Sequence, residues 1–267
     1  MSANFKDYSK YYDLLYTDKD YAGEVNYVES LIKNYSTRKA GSLLELGCGT
    51  GIHAQMMSSH GLSVAGIDLS PEMLQLAQDR LSPLNISRDK LDLVNGDVRT
   101  YRSARRFDAV ISLFHVLSYQ VSDDDVSAML ETVSHHLVNG GLFIFDFWYG
   151  PAVLWQRPSA RIKELSDEEV DITRFANPIL RQADNVVDVN YSLFIGNKKT
   201  PNLDIRKITE THKMRYFFLR EINTFLISHG FELVVSEEWI TKAELSEGTW
   251  GACVVARKIA SERTPAD

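Results

Sequence analysis

The chain has 267 residues, of which 44% are hydrophobic and 24% charged, and its formal net charge is −7. These figures fit a globular protein of one large domain, or one domain carrying an insertion. The acidic balance disfavours a nucleic-acid partner, and the two cysteines, Cys48 and Cys253, lack the spacing of a zinc site or a disulfide framework.

The opening residues Met1 to Asp7 lack the apolar core of a signal peptide, and no apolar run approaches the roughly 18 residues of a membrane span. A cytoplasmic protein with reduced thiols and no membrane contact is expected. Tyr8, Tyr11, Tyr12, Tyr16 and Tyr21 then crowd a short segment. It can serve as a lid over a ligand or as an aromatic staple docking the N-terminus. Glu24 to Asn34 places Val25, Val28, Leu31 and Ile32 at helical spacing. Residues 1–40 are therefore set apart as an N-terminal helical lid.

Leu43 to Leu46 reads as a buried parallel strand. Gly47, Gly49 and Gly51 follow, and Ile52 to Met57 starts a helix. Strand, glycine turn and helix form the first crossover of an open α/β sheet, whose helix N-terminus offers free N–H groups to an anionic ligand group. The run from Glu45 to Gly51 is E-x-G-x-G-x-G. A dinucleotide fingerprint would need Gly or Ala at Ile52. A second strand ends at Asp68, close to the roughly 20-residue spacing of an acid that holds a ribose diol. Ser70-Pro71 marks a helix start, with Met73 placed to wall an adenine pocket. A third strand runs from Leu91 into Gly96-Asp97-Val98, where Asp97 suits an adenine amino group. A fourth runs from Phe107 into the loop carrying His115 and Tyr119. A helix over Asp123–Val138 is expected to stop at Asn139-Gly140-Gly141, with His135 and His136 on its surface, before a fifth strand over Leu142–Phe147.

From about Ala160 to Phe218 the pattern turns to alternation, with Val187, Val189, Tyr191, Leu193 and Ile195 on one strand face. This predicts an inserted antiparallel β-sheet over 160–218, joined through the turn Gly196–Asn202. Helix returns over Leu219–Ser228, followed by strands over Phe231–Ser236 and Thr249–Ala256. The tail from Ser261 is expected to be disordered. The fold class is thus α/β: a doubly wound, Rossmann-like domain over 41–159 and 219–258, interrupted by the insertion.

Glu45 to Gly51, Asp68 and Gly96-Asp97 together resemble the class I S-adenosylmethionine-dependent methyltransferases. Tyr12-Asp13-Leu14-Leu15-Tyr16, Lys19-Asp20-Tyr21, Ser112-Leu113-Phe114, Asp146 to Pro151 and Arg220-Glu221 are similar to pieces of the bacterial N-methyltransferases that act on dTDP-linked amino sugars. The resemblance implies S-adenosyl-L-methionine as cofactor, held by Tyr16, Glu45, Gly47, Gly49, Gly51, Asp68, Leu69, Met73, Gly96, Asp97, Val98 and Leu113, with no metal. It also implies an insertion that covers the active site, a last strand that is antiparallel, and Tyr12, Tyr119 and Asp146 near the acceptor amine. Asp146 stands where such relatives would carry Glu.

Methyl transfer from a sulfonium needs placement of a nucleophile more than activation of a leaving group. An amine needs its lone pair aimed, whereas a hydroxyl needs a base, for which His115 is the candidate. N-methylation of a nucleotide-linked amino sugar is therefore weighed against O-methylation of a sugar, phosphonate or similar acceptor. A NAD-dependent oxidoreductase is disfavoured by the glycine spacing. A non-catalytic cofactor-binding protein would lack an acceptor cavity. The insertion leaves two roles open, cover for a small-molecule acceptor or interface of a homodimer.

Overall fold

The computed structural model describes residues 8–200 and 205–260. The tail from Ser261, the first seven residues and part of the turn expected at 196–202 lie outside them. The core is a central sheet of β1 (Ser42–Leu46), β2 (Ser63–Asp68), β3 (Leu91–Asn95), β4 (Phe107–Ser112), β5 (Leu137–Tyr149), β10 (Phe231–Glu238) and β11 (Gly251–Lys258). Its spatial order is β3-β2-β1-β4-β5-β11-β10. The first five run parallel, and β11 inserts antiparallel between β5 and β10.

Both faces of the sheet are covered, which is why its central strands are mostly apolar. On one face α2 (Tyr21–Tyr35) and α3 (Ile52–Ser59) bury Val25, Val28, Leu31 and Ala54 against Leu43, Ile144 and Val255. On the other, α5 (Asp123–His136) and α7 (Leu219–Ser228) bury Met129, Val133, Ile222 and Leu226 against Phe143, Phe145 and Phe147. These phenylalanines alternate along β5 and so share a face, with Phe143 and Phe145 stacked at 4.4 Å. Each contributes roughly 1.5–3 kcal/mol by leaving water. Helix α4 (Pro71–Leu81) follows β2, with Ser70 as its N-cap accepting from the Met73 N–H.

The expected helical lid is thus corrected in part, because α2 is a core layer. Only the short segment before it, including α1 (Tyr12–Leu15), reaches the glycine loop, where Asp13 accepts from Thr50. Tyr8 and Leu15 of that segment are fully buried against Ile172, Leu193, Ile195 and Ile208 of the insertion. The structure also moves the stop expected at Asn139-Gly140-Gly141. Helix α5 ends at His136, and the glycines lie within β5, where Gly140 takes φ +75°. His136 is not a surface residue: it is fully buried and stacked on Tyr101, and its ring bonds the Thr132 carbonyl and the Ser103 N–H. Burial lowers its pKa, which keeps it neutral. A further helix, α6 (Gly150–Gln156), follows β5 where the sequence pattern gives none.

The insertion consists of β6 (Arg161–Ser166), β7 (Val170–Arg181), β8 (Val186–Asn197) and β9 (Ile205–Phe217), all antiparallel. It continues the main sheet. β4 pairs with β5 as far as Ser112↔Phe145, and β9 takes over that edge at Trp148↔Tyr216. The notch between the end of β4 and the start of this pairing holds a 3-10 turn, Val116–Tyr119. The site lies at this notch and the adjoining glycine loop.

Candidate active site

The glycine loop is fixed from below. The N–H groups of Gly47 and Cys48 both donate to the Ile67 carbonyl at 2.8 and 2.9 Å, tying the loop to β2. Gly47, Gly49 and Gly51 take φ of +75°, +53° and +73°, which side-chain-bearing residues avoid. Asp68, at the end of β2, accepts from the Gly49 N–H at 2.8 Å and the Ser70 N–H at 2.9 Å. Burial nevertheless raises its pKa, assisted by the nearby Glu45. Met73 is buried beneath Gly49, whereas the neighbouring Leu69 is 56% exposed, an apolar surface suited to a ligand. Gly96 donates to the Asp68 carbonyl and packs on Tyr101, and Val98 joins the core. Asp97 faces Arg99, which bonds both of its oxygens and also reaches Asp125. The Arg99 guanidinium lowers the pKa of Asp97.

Beyond the loop a small cavity is lined by Gly47, Gly49, Glu45, Leu113, Tyr12 and Lys19. Glu45 is 1% exposed, and among the described residues its Oε2 has no hydrogen-bond partner. Its other oxygen lies 3.5 Å from His53 Nδ1, and His53 Nε2 meets Glu24 at 2.7 Å. Lys19 also pairs with Glu24 at 2.7 Å and sits 4.0 Å from the centre of the Phe114 ring. The segment above is latched to the loop: Asp13 accepts from Thr50 Oγ1 at 2.9 Å, and Arg80 of α4 joins Asp13 to the Thr50 carbonyl. Sequence reading assigned no role to Lys19, Arg80 or Glu24, because ordinary charged residues without a motif are found only when the chain folds them together.

His53 titration has a readable consequence. Burial works against the imidazolium, but Glu24 and Glu45 outweigh it and raise the His53 pKa. A raised folded pKa contributes stability below the ordinary histidine value of about 6.5, which is lost as pH rises through the folded value. The melting temperature is therefore expected to fall as pH rises above about 6.5 in the wild type, and to respond less in His53→Gln. Equal pH slopes in scanning calorimetry would remove His53 as the source.

The acceptor side carries the other sequence-predicted residues. His115 takes φ +63°, and its Nδ1 lies 2.7 Å from Asp146 Oδ2, while its backbone N–H reaches the same carboxylate at 3.2 Å. Asp146 is only 1% exposed, so it meets His115 and not open space. The expectation that it faces the acceptor directly is corrected accordingly. Tyr12 lines the cavity and stacks at a tilt on Tyr16, which in turn meets Phe114 edge-on. Tyr119 bonds His212 Nδ1 of β9 at 2.7 Å. Burial pushes the Tyr12 and Tyr119 hydroxyls well above the usual phenol range, so both stay protonated. Tyr12 and Leu113 thus share one cavity with Glu45 and the glycine loop, Tyr16 packs beside it on Tyr12 and Phe114, and Tyr119 is held by His212.

Comparison with known proteins bears on the family and the fold. Residues 43–141 match the family model described as a methyltransferase domain. The chain is 26% identical over 238 residues to a Streptomyces venezuelae dTDP-3-amino-3,4,6-trideoxy-alpha-D-glucopyranose N,N-dimethyltransferase, covering 85% of this chain and 91% of that protein. Its fold matches a S-adenosylmethionine-dependent methyltransferase from Clostridium acetobutylicum, with a TM-score of 0.80, 20% identity and coverage of 96% and 100%. It also matches the S-adenosylmethionine-bound amino pentose methyltransferase CalS10 from Micromonospora echinaspora, with a TM-score of 0.72, 23% identity and coverage of 97% and 99%.

Proposed function

Given that residues 43–141 form a class I S-adenosylmethionine-dependent methyltransferase domain, we propose that this enzyme methylates the amino group of a nucleotide-linked amino sugar. The observation that carries the reading is the insertion. Its strand β9 continues the main sheet beside β5, and the Tyr119 turn bonds directly to that strand. The relative from Streptomyces venezuelae, which this chain matches over most of its length, acts on such a sugar.

The residues present fit the cofactor. Glu45 Oε2 is a buried acceptor lacking a donor, and an α-ammonium group supplies one. Asp68 is placed for a ribose diol, Leu69 and Met73 for an adenine face, and the three glycines leave room for a close approach. When bound, S-adenosylmethionine supplies a methyl group already activated for in-line displacement. The chain then has to hold the acceptor, aim its lone pair and exclude water. Tyr12 and Tyr119 orient the amine by hydrogen bonding. Asp146 accepts from the His115 backbone N–H and so holds the turn that carries the imidazole. The insertion packs on Tyr8 and Leu15 of the N-terminal segment, whose Tyr12 lines the cavity, and this supports a covering role.

The net charge of −7 supports a small-molecule acceptor over nucleic acid. Among the described residues no helix is long and apolar enough to cross a membrane. We place the enzyme in the cytoplasm, where the nucleotide sugars it would use are made. Ile162 and Phe175, exposed and paired across β6 and β7, support a homodimer through the outer face of the insertion. A second reading, O-methylation, is favoured by the His115–Asp146 pair, which is the arrangement of a general base.

Calorimetry with S-adenosylhomocysteine present separates the two. A dTDP-linked 3-amino sugar is expected to bind at least about tenfold more tightly than its 3-hydroxy counterpart, the loss expected when hydrogen-bonding partners go unmatched. Equal affinities, or preference for the hydroxy sugar, would favour the second reading.

A further inference from the structure

Resting on the amine reading above, we infer that Glu210 and His212 of the insertion form a proton outlet that acts on the acceptor amine through Tyr119. His212 is 4% exposed. Its Nε2 lies 3.1 Å from Glu210 Oε2, and its Nδ1 lies 2.7 Å from the Tyr119 hydroxyl. An ionised carboxylate can only accept a hydrogen bond, so Nε2 carries the hydrogen and Nδ1 is bare. Nδ1 must then accept from Tyr119. A hydroxyl that donates to His212 presents only acceptor lone pairs in its other directions, and an amine N–H is a matching donor.

The order of groups also fits removal of a proton. A sugar amine reaches the enzyme largely as an ammonium ion, which has no lone pair to offer. The ammonium proton passes to the Tyr119 oxygen as the Tyr119 hydrogen passes to His212 Nδ1. The amine becomes neutral, Tyr119 is regenerated as a phenol, and the positive charge moves to an imidazolium beside Glu210. No electron is gained or lost, and no other reactant is needed. Tyr119, whose phenolate form is disfavoured by burial, thus relays the proton without retaining it. A second methylation at the same nitrogen requires the same step again.

The surroundings of His212 suit this role. Tyr8 from the N-terminal segment and Tyr191 from β8 pack on its ring at 5.7 and 5.0 Å, and Tyr119 approaches from the 3-10 turn. Glu210 on its own strand is the anion beside it. Arg174 of β7 reaches the other side of these rings, with Nη1 3.3 Å from the Tyr8 hydroxyl and Cζ 5.4 Å from the Tyr191 ring centre. His212 and Glu210 are positioning and proton-accepting residues, while Tyr119 touches the acceptor.

The test follows kcat and KM against pH with saturating S-adenosylmethionine, using dTDP-3-amino-3,4,6-trideoxy-glucopyranose as probe. His212→Asn is expected to lower kcat by about tenfold to a hundredfold, with KM changed by less than about threefold. The acid limb of its profile should move up to the amine's own titration. Glu210→Gln, whose amide no longer fixes which ring nitrogen carries the hydrogen, should lower kcat and leave more monomethyl product. Cofactor affinity and circular dichroism confirm that the variants fold. A His212→Asn profile with an unmoved acid limb overturns the outlet, whatever its kcat. Nitrogen-15 NMR of wild-type histidines is independent of the acceptor, and an Nδ1-protonated His212 overturns the outlet by itself. A wild type that binds the cofactor but does not methylate the probe overturns the amine reading and the outlet together, while leaving the tautomer result intact.

Discussion

Asp68→Ala is expected to weaken S-adenosylmethionine binding by a few hundredfold, read by titration calorimetry. In the proposed cofactor complex the carboxylate would accept from two ribose hydroxyls, and hydrogen bonds to an ionised acceptor are worth about 1.5–3 kcal/mol each. Losing both costs about 3–4 kcal/mol after water replaces part of the contact. The same carboxylate also ties Gly49 to the end of β2, so the loop loses an anchor together with the ligand. The melting temperature should also fall by a few degrees, because the Gly49 and Ser70 N–H groups lose their acceptor, without loss of the fold. Asp68→Asn, which can still accept one bond, should fall between the two. A variant that binds within threefold of wild type, or that loses its fold, would remove Asp68 from its assigned role.

Gly47→Ala is expected to damage cofactor binding and catalysis together. Gly47 holds φ +75°, and a Cβ there would stand 2.5 Å from Val116 Cγ2 and 2.9 Å from Cγ1. The left-handed backbone costs roughly 1–2 kcal/mol for a residue with a Cβ, and overpacking adds about 1–3 kcal/mol. Val116 opens the 3-10 turn that ends at Tyr119, so the clash is transmitted from the cofactor loop to the acceptor residue. The expected outcome is a melting temperature lowered by about 5–15 °C and a loss of about a hundredfold or more in kcat/KM. Val116→Ala added to Gly47→Ala should restore the part due to the clash and leave the part due to backbone strain. If the double variant is no better than the single, Val116 does not couple the two loops.

Much of this arrangement is legible in the chain. The glycine loop, Asp68 and the parallel strands can be read because each follows from local rules: apolar runs for buried strands, glycine where φ is positive, an acid at a fixed distance beyond. The alternation at Val187–Ile195 likewise shows one face of the insertion. Other features have no local signature. His136 looks like a surface helix residue until the backbone of Ser103 arrives to meet its Nε2. Gly140 and Gly141 resemble a helix stop but lie within a strand whose register shifts against β4. Asp146 is set behind His115 by a backbone turn with φ +63°, which composition does not reveal. The latch of Asp13, Thr50 and Arg80 and the pairing of Tyr119 with His212 join residues far apart in sequence, and only the fold brings them together.

The central claim is that the loop and Asp68 hold S-adenosylmethionine while the covered notch presents an amine to it. Its most direct test is single-turnover transfer from carbon-13 methyl-labelled S-adenosylmethionine to a dTDP-linked 3-amino sugar, with the product read by NMR. The label is expected on nitrogen, as the monomethyl and then the dimethyl amine, with none on a sugar hydroxyl. Label on oxygen, or no transfer from an enzyme that binds both ligands, would contradict the account.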